Sequence, residues 1–382
     1  MTTVRPFPAR VVRQAVARRT VTAMTDSQDD SGVDLHGVKI DPAAYDERPA
    51  ALYVYRQSGR AASYTGVVCD VAVQAVADAR VRGHEAVHQL RVDALVWHHA
   101  RGSSPPALVM LLHQAGPEYA RALAEAERSE PILDFDGPGG LHQTVWRLDD
   151  ETATSALADE LASAQLYIAD GHHRAAAALE EWRLAGKPAE AGLLCLVHPM
   201  DGLVLSSFHR RVSGPVDADR LLTGLRDEFE VREADAIPEP SVGTLGLYLA
   251  GRWYQVLLPA ERPVGVAGLD ATILQTRVLD RLEPAPPGRV RTVDGVPSAE
   301  PLDELVARCD VDRGALFTLA PPPPEALVEV ADAGEVMPPK TTYFEPKPAA
   351  GIFLRSSAEA RGLSQGRAQG QARLPAGGVA PA

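Results

Sequence analysis

The amino-acid sequence predicts an α/β protein built on a mixed sheet with flanking helices. Short β-rich or apolar runs of strand length alternate along the chain with segments whose apolar residues recur at helical spacing. Glycine and proline breaks, such as Gly116-Pro117, separate these segments. Hydrophobic residues make up 45% of the 382 residues, which is enough for a sizeable core. We therefore expect a mixed α+β core with a smaller C-terminal α/β part.

The first half of the chain contains the elements of the expected core. Its β-rich runs predict strands over residues 51–55, 64–73, 107–112, 132–135, 144–148, 166–169 and 193–197. A helix is predicted over residues 86–97, where Val87, Leu90 and Ala94 fall on one face. Further helices are expected after Gly116-Pro117, from Glu151 onward, and over the Ala-rich residues 174–184.

The second half of the chain continues the alternation more loosely. The expected elements are a strand over 203–208, a hairpin of 245–250 and 253–258, a helix over 271–282, a helix after the proline run 321–324, and a strand over 351–355. A break is predicted at residues 284–288. We expect an N-terminal segment with an acidic linker (1–35), a core domain (36–213), a C-terminal α/β part (214–355) and a disordered tail (356–382).

Composition excludes several classes of function. The net charge of −13 argues against a nucleic-acid-binding surface, because phosphate backbones are bound by basic patches. No apolar run approaches the length of about 18 residues that a membrane span needs. Cys69, Cys195 and Cys309 are far apart and odd in number, which favours buried free thiols in a reducing compartment. We expect a cytoplasmic protein whose partner is a small molecule, and the sequence does not define its oligomeric state.

The strongest candidate site is the run Asp170, Gly171, His172, His173 and Arg174, which joins a predicted strand to a predicted helix. This geometry aims backbone N–H groups and the positive end of a helix dipole at one place, which suits an anion. The arginine adds a bidentate fork, the histidines can donate to phosphate oxygens or carry a proton, and the aspartate could hold Mg²⁺. The alternative is a structural turn with two surface histidines.

A second candidate is His84-Glu85-x-x-His88, which matches the zinc-protease pattern H-E-x-x-H. That chemistry needs both histidines one turn apart on a helix, with the glutamate acting on a metal-bound water. Gly83 directly before the first histidine marks a helix start, which counts against the zinc hypothesis. Glu85 stays a candidate general base in either case.

Two further segments carry polar groups suited to anions. Prolines hold residues 334–348 in an extended path that includes Lys340 and Thr341, and a lysine followed by hydroxyls can contact phosphate. The alternative there is a proline-stiffened strand. His209 and Arg210 end another strand and could supply a second anion contact, although solvated charges at a strand end are the commoner explanation.

Three runs together resemble the bacterial family named domain of unknown function 1015. They are residues 83–85 (Gly-His-Glu), 167–174 (Tyr-Ile-Ala-Asp-Gly-His-His-Arg) and 337–344 (Met-Pro-Pro-Lys-Thr-Thr-Tyr-Phe) with its continuation at 346–348 (Pro-Lys-Pro). The resemblance spans about residues 5–355. The turn at 170–174 is also similar to the phosphate-binding turn of the ParB/sulfiredoxin-like group, which includes free-serine kinases. The resemblance therefore implies a ParB/sulfiredoxin-like core.

The same resemblance implies an enzyme that handles phosphate or nucleotide groups. The implied reaction is kinase-like phosphoryl transfer that uses ATP or ADP with Mg²⁺ and involves a small hydroxyl metabolite, such as a serine-like amino acid. Glu85, Asp170 and His172 would serve catalysis, and Gly171, His173, Arg174, Lys340 and Thr341 would contact phosphate. A regulatory protein that binds a nucleotide or phosphometabolite without turnover is the main alternative, and a zinc hydrolase is the other.

Overall fold

The computed structural model of the chain describes residues 3–23, 41–100, 107–282 and 291–355. Most of the predicted acidic linker, the break at 284–288 and the tail at 356–382 lie outside the described residues. The described part of the chain divides into two compact units. Among the described residues, unit 1 contains those up to 82, those from 87 to 203 and those from 346 to 355. Unit 2 contains the described residues within 83–86 and 204–345.

The strands and helices alternate along the chain, as the sequence predicts. The strands are β1 (Val4–Arg5), β2 (Phe7–Val12), β3 (Tyr45–Ser58), β4 (Ser63–Ala72), β5 (Val81–Arg82), β6 (Val109–His113), β7 (Leu133–Asp136), β8 (His142–Leu148), β9 (Leu166–Asp170), β10 (Gly192–Pro199), β11 (Val204–Ser206), β12 (Phe208–Val212), β13 (Glu230–Ala234), β14 (Thr244–Leu249), β15 (Arg252–Leu257), β16 (Val293–Pro297), β17 (Ala315–Thr318), β18 (Tyr343–Glu345) and β19 (Phe353–Arg355). The α-helices are α1 (Ala17–Thr20), α2 (Val73–Ala77), α3 (Gln89–Ala100), α4 (Pro117–Ala126), α5 (Glu151–Ser163), α6 (His172–Leu184), α7 (Ala218–Glu228), α8 (Asp270–Arg277), α9 (Leu302–Asp312) and α10 (Pro324–Asp332).

Short 3₁₀ helices complete the described elements. They span Gln14–Val16, Pro42–Ala44, Pro138–Gly140, Gly265–Gly268 and Leu279–Arg281. Within the residues that the structure describes, no helix has the length and apolarity that a membrane crossing requires.

Unit 1 is built on a large mixed sheet, which confirms the predicted fold class. Its strand order is β19-β2-β3-β4-β10-β6-β9-β5, with β1 beside β4, β8 beside β3 and β7 beside β8. The pairs β10–β6 and β5–β9 are parallel, and the other pairs in this sheet are antiparallel. Strand β3 is long enough to pair with β2, β4 and β8, so it joins the parts of the sheet.

Both faces of this sheet are buried. Alternate residues of β3, β4, β6 and β10 pack on one face with apolar residues of α4 and α5, where Leu157 and Leu161 are fully buried. On the other face, Phe7, Tyr53 and Phe353 form an aromatic cluster, with ring centroids 5.5 Å apart for Phe7–Tyr53 and 5.3 Å for Tyr53–Phe353. Strand β19 therefore contributes to the core of unit 1 although it lies far along the chain.

A buried carboxylate reinforces this connection. Asp70 on β4 is 2% exposed, accepts from Arg5 Nε at 2.6 Å, and also pairs with the guanidinium of Arg355 on β19. A Cβ at position 192 would lie 2.1 Å from this carboxylate, so Gly192 leaves the space that it occupies. The pair of arginines compensates the cost of burying the charge.

The N-terminus of α4 is capped by a side chain from the neighbouring helix α5. Glu160 accepts hydrogen bonds from the backbone N–H groups of Gly116, Glu118 and Tyr119 at 3.3, 2.9 and 3.0 Å. These N–H groups have no acceptor inside α4, and a negative charge also suits the helix dipole. Glu160 therefore joins the two helices that cover one face of the sheet.

Unit 2 contains an antiparallel sheet with the order β13-β15-β14-β17-β12-β16, and β11 pairs separately with β18. Leu247, Phe317 and Leu274 lie in its core. The predicted hairpin across Gly251 is confirmed as β14 and β15. Ala250 and Gly251 connect them with φ angles of 49° and 81°, as a tight hairpin turn with two positive φ angles requires.

Several sequence predictions of secondary structure were wrong in their extent, among them the strand predicted over 51–55, which is part of the longer β3 (Tyr45–Ser58). The helix predicted over 86–97 begins at Gln89, because the carbonyl of His84 accepts the N–H of Met337 at 2.7 Å and this pairing keeps the chain extended. The single strand predicted over 203–208 is divided between β11 and β12, which belong to different sheets. The helix predicted over 271–282 ends at Arg277 and is followed by a 3₁₀ turn.

The domain boundaries stay a prediction. The sequence favours a division after residue 213, whereas the compact units meet at residues 203 and 204, and residues 346–355 belong to unit 1. The three cysteines are buried and free, as the sequence predicts.

We predict that Glu160→Gln lowers the free energy of unfolding by about 2 kcal/mol, because the amide group cannot accept all three backbone hydrogen bonds. Urea denaturation followed by circular dichroism measures this change. Glu125→Gln, at an exposed position on α4, is the matched control and should change stability by less than about 0.5 kcal/mol. Equal effects of the two substitutions would show that the cap does not stabilise α4.

We also predict a pH-dependent contribution from His142, which contacts Asp136 at 2.9 Å and Asp134 at 2.7 Å. Hydrogen bonds to Asp136 and then Asp134 raise the pKa of His142. The stabilisation is therefore complete below the unfolded pKa of about 6.5 and is lost as pH rises through the raised folded pKa. Because the cluster is exposed, solvent screens it and its contribution to stability is small.

The measurement compares wild type with His142→Gln by urea unfolding at about pH 5.5 and about pH 8.5. The destabilisation by the substitution should be larger at the lower pH and should shrink when salt is added. A difference that is the same at both pH values would contradict the assignment.

Candidate functional site

A strand-to-helix turn in unit 1 contains the strongest sequence-predicted site. Strand β9 ends at Asp170, and α6 begins at His172. Gly171 between them has a φ of 98°, in the left-handed region that favours glycine. A Cβ at this position would also lie 2.8 Å from the guanidinium of Arg174. The turn therefore needs glycine both for its backbone conformation and for the close approach of the arginine.

Asp170 lies between two cations. Its Oδ2 accepts from Arg174 Nη2 at 2.5 Å, and its Oδ1 pairs with Lys347 Nζ. The three side chains are only 12–17% exposed. Burial raises the pKa of Asp170, but the charges of Lys347 and Arg174 outweigh burial and lower it to about 2. The carboxylate is thus ionised at neutral pH, and the cluster carries one excess positive charge before the histidines are counted.

Lys347 was not among the residues selected from the sequence, although the Pro-Lys-Pro run that contains it was. Its backbone is held in unit 1, because Gln57 Nε2 donates to the carbonyl of Lys347 at 3.0 Å. Two residues later, the N–H of Ala349 donates to the Tyr55 hydroxyl at 3.2 Å, and that hydroxyl donates to Gln143 Oε1. The flanking prolines were the signal, since they fix an extended path through this segment.

The two histidines of the turn differ in their surroundings. His172 is 6% exposed, and its electrostatic effect adds to those of Lys347 and Arg174 in lowering the pKa of Asp170. His173 is half-buried, and its Nε2 accepts the backbone N–H of His88 at 3.0 Å. The rings of His88 and His173 stack with centroids 5.9 Å apart and an interplanar angle of 11°. Because Nε2 is an acceptor here, a neutral His173 carries its proton on Nδ1.

Glu85, Lys340 and Thr341 belong to unit 2, where two runs of the family pattern pack together. Glu85 forms a parallel bridge with Met337, and the fully buried His84 places its Nε2 2.8 Å from Thr342 Oγ1. Thr341 is buried and donates its hydroxyl to the carbonyl of Pro338 at 2.6 Å. Glu85 is therefore a half-buried carboxylate on an extended, hydrogen-bonded segment.

Arg210 stabilises the turn at 338–342 through hydrogen bonds to its backbone. Its guanidinium is buried and donates to the carbonyls of Pro339 and Lys340, each at 2.9 Å. Burial lowers the pKa of Arg210 to about 10, so it stays charged at neutral pH. Lys340 adopts a φ of 59°, and its Nζ lies 5.1 Å from the centroid of the Phe208 ring.

His209 is a buried neutral side chain. Burial, followed by the charge of Arg210, lowers its pKa to about 4. Its Nδ1 accepts the N–H of Leu319 at 3.3 Å. The second anion contact predicted for His209 and Arg210 stays a prediction, and the contacts described here join both residues to the backbone of unit 2.

The residues do not fit the two metals considered from the sequence. His84 and His88 are not one turn apart on a helix, because α3 begins only at Gln89, so the helical zinc pattern is wrong. Both oxygens of Asp170 face cations, which does not fit a role in binding Mg²⁺. In the segments that the structure describes, no group of three or more His, Cys, Asp or Glu side chains could hold a metal ion.

Comparisons with solved structures found similar chains at low identity. A free serine kinase in complex with ADP is 14% identical, with 77% of this chain and 92% of that chain covered and a TM-score of 0.41. SbnI with a C-terminal truncation, from Staphylococcus aureus, is 12% identical, with coverage of 79% and 96% and a TM-score of 0.42. A conserved hypothetical protein from Pyrococcus furiosus is 15% identical, with coverage of 77% and 96% and a TM-score of 0.38. Similarity at this level carries no argument about activity.

No curated protein matches the chain. The profile of a family described as proteins of unknown function, DUF1015, matches residues 44–282. This match covers more than half of the chain and includes the runs at 83–85 and 167–174, whereas the run at 337–348 lies beyond it. The family resemblance expected from the three runs is therefore confirmed, and the chain belongs to the DUF1015 family.

Proposed function

We propose that this chain is a cytoplasmic enzyme that handles phosphate groups, by kinase-like phosphoryl transfer between a nucleotide, ATP or ADP, and a small hydroxyl metabolite such as a serine-like amino acid. The observation that carries the proposal is the cluster of Asp170, Arg174 and Lys347 at the N-terminus of α6. It combines a helix N-terminus with two cations and one carboxylate.

The electrostatics of the cluster favour an anion. The first turn of a helix presents N–H groups without acceptors inside the helix, and the dipole places partial positive charge there. The net charge of Asp170, Arg174 and Lys347 adds to it, in surroundings that exclude much of the solvent. A phosphate group has the charge and the number of acceptor oxygens that such a site can satisfy.

In this proposal the carboxylate of Asp170 positions the two cations. Arg174 supplies a planar guanidinium whose geometry matches phosphate oxygens, and Lys347 supplies a point charge. The nucleotide supplies the phosphoryl group, and catalysis of such transfers is mostly positioning and charge stabilisation. His172 and His173 are the candidate proton carriers of the turn, and Glu85 is retained as the candidate base for the acceptor hydroxyl. Lys340 and Thr341 stay candidate phosphate contacts.

We predict that Arg174→Ala weakens ATP and ADP binding by about 10- to 100-fold, because it removes charge-assisted hydrogen bonds worth roughly 1.5–3 kcal/mol. Isothermal titration calorimetry measures the affinities. Arg183→Ala, at an exposed site in the last turn of the same helix, is the matched control and should bind like wild type. Adenosine, which has no phosphate, should not distinguish the variants. Unchanged ATP and ADP affinity in Arg174→Ala would refute the site.

We predict that Lys347→Met weakens nucleotide binding by about tenfold, as expected for the loss of one cationic contact. Asp170 keeps Arg174 as a partner in this variant, so the fold should survive, and thermal unfolding checks this. A variant that is folded and binds ADP as tightly as wild type would restrict Lys347 to a structural role.

Turnover is tested by phosphorus NMR of the protein incubated with ATP or ADP, Mg²⁺ and a panel of hydroxyl-bearing metabolites that includes L-serine. A new phosphomonoester signal that Glu85→Gln abolishes, while nucleotide affinity is unchanged, would support the enzyme. Tight nucleotide binding with no product from any acceptor would favour the regulatory, non-catalytic alternative.

A further inference from the structure

Unit 2 contains a cavity of about 370 Å³ that is lined in part by Thr341 but by no residue of the turn at 170–174. This unit 2 cavity is lined by residues of unit 2, among them Phe208, Arg262, Leu269, Asp270, Leu319 and Glu329. Its volume lies at the lower end of the range of small-molecule sites, which is about 300–1,000 Å³.

Most of the wall is apolar. Phe208, Leu269 and Leu319 are nearly fully buried, and residues 321–323 add a proline wall. Apolar walls with a few fixed polar groups are typical of sites for small organic molecules, because burial of the ligand supplies affinity and the polar groups supply orientation.

The polar groups of the cavity include a buried ion pair. Arg262 Nη1 pairs with Asp270 Oδ1, and the other carboxylate oxygen accepts the N–H of Gly243 at 2.8 Å. The side chains of Arg262 and Asp270 are 22% and 9% exposed. The hydrogen bonds of Arg262 to described residues use Nη1, which also donates to the carbonyl of Gly268 at 3.4 Å. Arg262 is thus fixed in orientation while part of its fork can still receive a carboxylate.

A third charged side chain lies at the rim of the unit 2 cavity. Glu329 on α10 lines the cavity, is exposed, and has no ion pair with a described residue. Together Arg262, Asp270 and Glu329 carry a net charge of −1, which disfavours a phosphate or another multiply charged anion. A ligand with one negative and one positive group matches this arrangement better.

We propose that the unit 2 cavity binds an α-amino acid with an apolar side chain of about the size of leucine. The ligand carboxylate would pair with Arg262, its ammonium group would face Glu329, and its side chain would contact Phe208, Leu269 and the proline wall. The hydroxyls of Ser207 and Thr341, which also line the cavity, already donate to the carbonyls of Leu319 and Pro338.

The test is isothermal titration calorimetry of the full chain, without nucleotide, against L-leucine and two analogues that each lack one charged group, 4-methylpentanoate and isoamylamine. L-leucine should bind about tenfold more tightly than either analogue, because each charged contact contributes to affinity. L-leucine should also bind more tightly than L-serine, because the side chain of serine is too small and polar to pack against the apolar wall. No binding of L-leucine, or equal binding of L-leucine and either analogue, would overturn the proposal.

Variants of the cavity provide a second measurement. Glu329→Gln should weaken L-leucine about tenfold while leaving 4-methylpentanoate unchanged, and Glu325→Gln, on the exposed first turn of α10, is the matched control. Ala326→Phe should fill the cavity and abolish binding without lowering the midpoint of thermal unfolding. Ala333→Phe, at the exposed end of α10, should bind like wild type.

Wild-type affinity in both Glu329→Gln and Ala326→Phe would place the ligand elsewhere and overturn the assignment. Because the assay contains no nucleotide and the variants leave residues 170–174 intact, its failure would not bear on the proposed phosphate site. Failure of nucleotide binding would likewise leave the unit 2 cavity untouched.

Discussion

The carboxylate of Asp170 sits between the guanidinium of Arg174 and the ammonium group of Lys347, and the candidate anion site depends on this contact. One carboxylate joins the end of β9, the first turn of α6 and a segment 177 residues away along the chain. If the carboxylate were absent, two partly buried cations would repel each other without compensation. The cations instead hold its pKa at about 2 against the effect of burial, so the Asp170 carboxylate stays ionised across physiological pH.

Unit 2 uses a buried arginine differently. Arg210 donates to backbone carbonyls of a turn in which Lys340 has a positive φ, a conformation that costs energy for a residue other than glycine. The same turn continues into Thr342, which contacts His84, so the runs at 83–85 and 337–342 form one hydrogen-bonded assembly. A sequence pattern shared by a family can therefore reflect mutual support of two segments as much as contact with a ligand.

Local chemistry explains which parts of this protein could be predicted from sequence. The turn at 170–174 was predictable because a β-rich run, a glycine and an Ala-rich helix follow one another directly, and the Ala250-Gly251 hairpin is equally local. The helix start near residue 86 was wrong because a hydrogen bond to Met337 overrides the local apolar period. Lys347 was missed because its pairing with Asp170 is a long-range contact, and nothing in the residues around 347 specifies that partner.

Strand β19 and Lys347 have a further consequence for how the protein is made. Unit 1 is discontinuous, since β19 pairs with β2 and Arg355 pairs with Asp70, so synthesis must pass residue 355 before unit 1 has all of its strands. Until β19 is made, β2 lacks this strand partner, and an unpaired strand edge favours aggregation. A chain whose synthesis stops before residue 346 would lack Lys347, so it could not form the whole anion cluster.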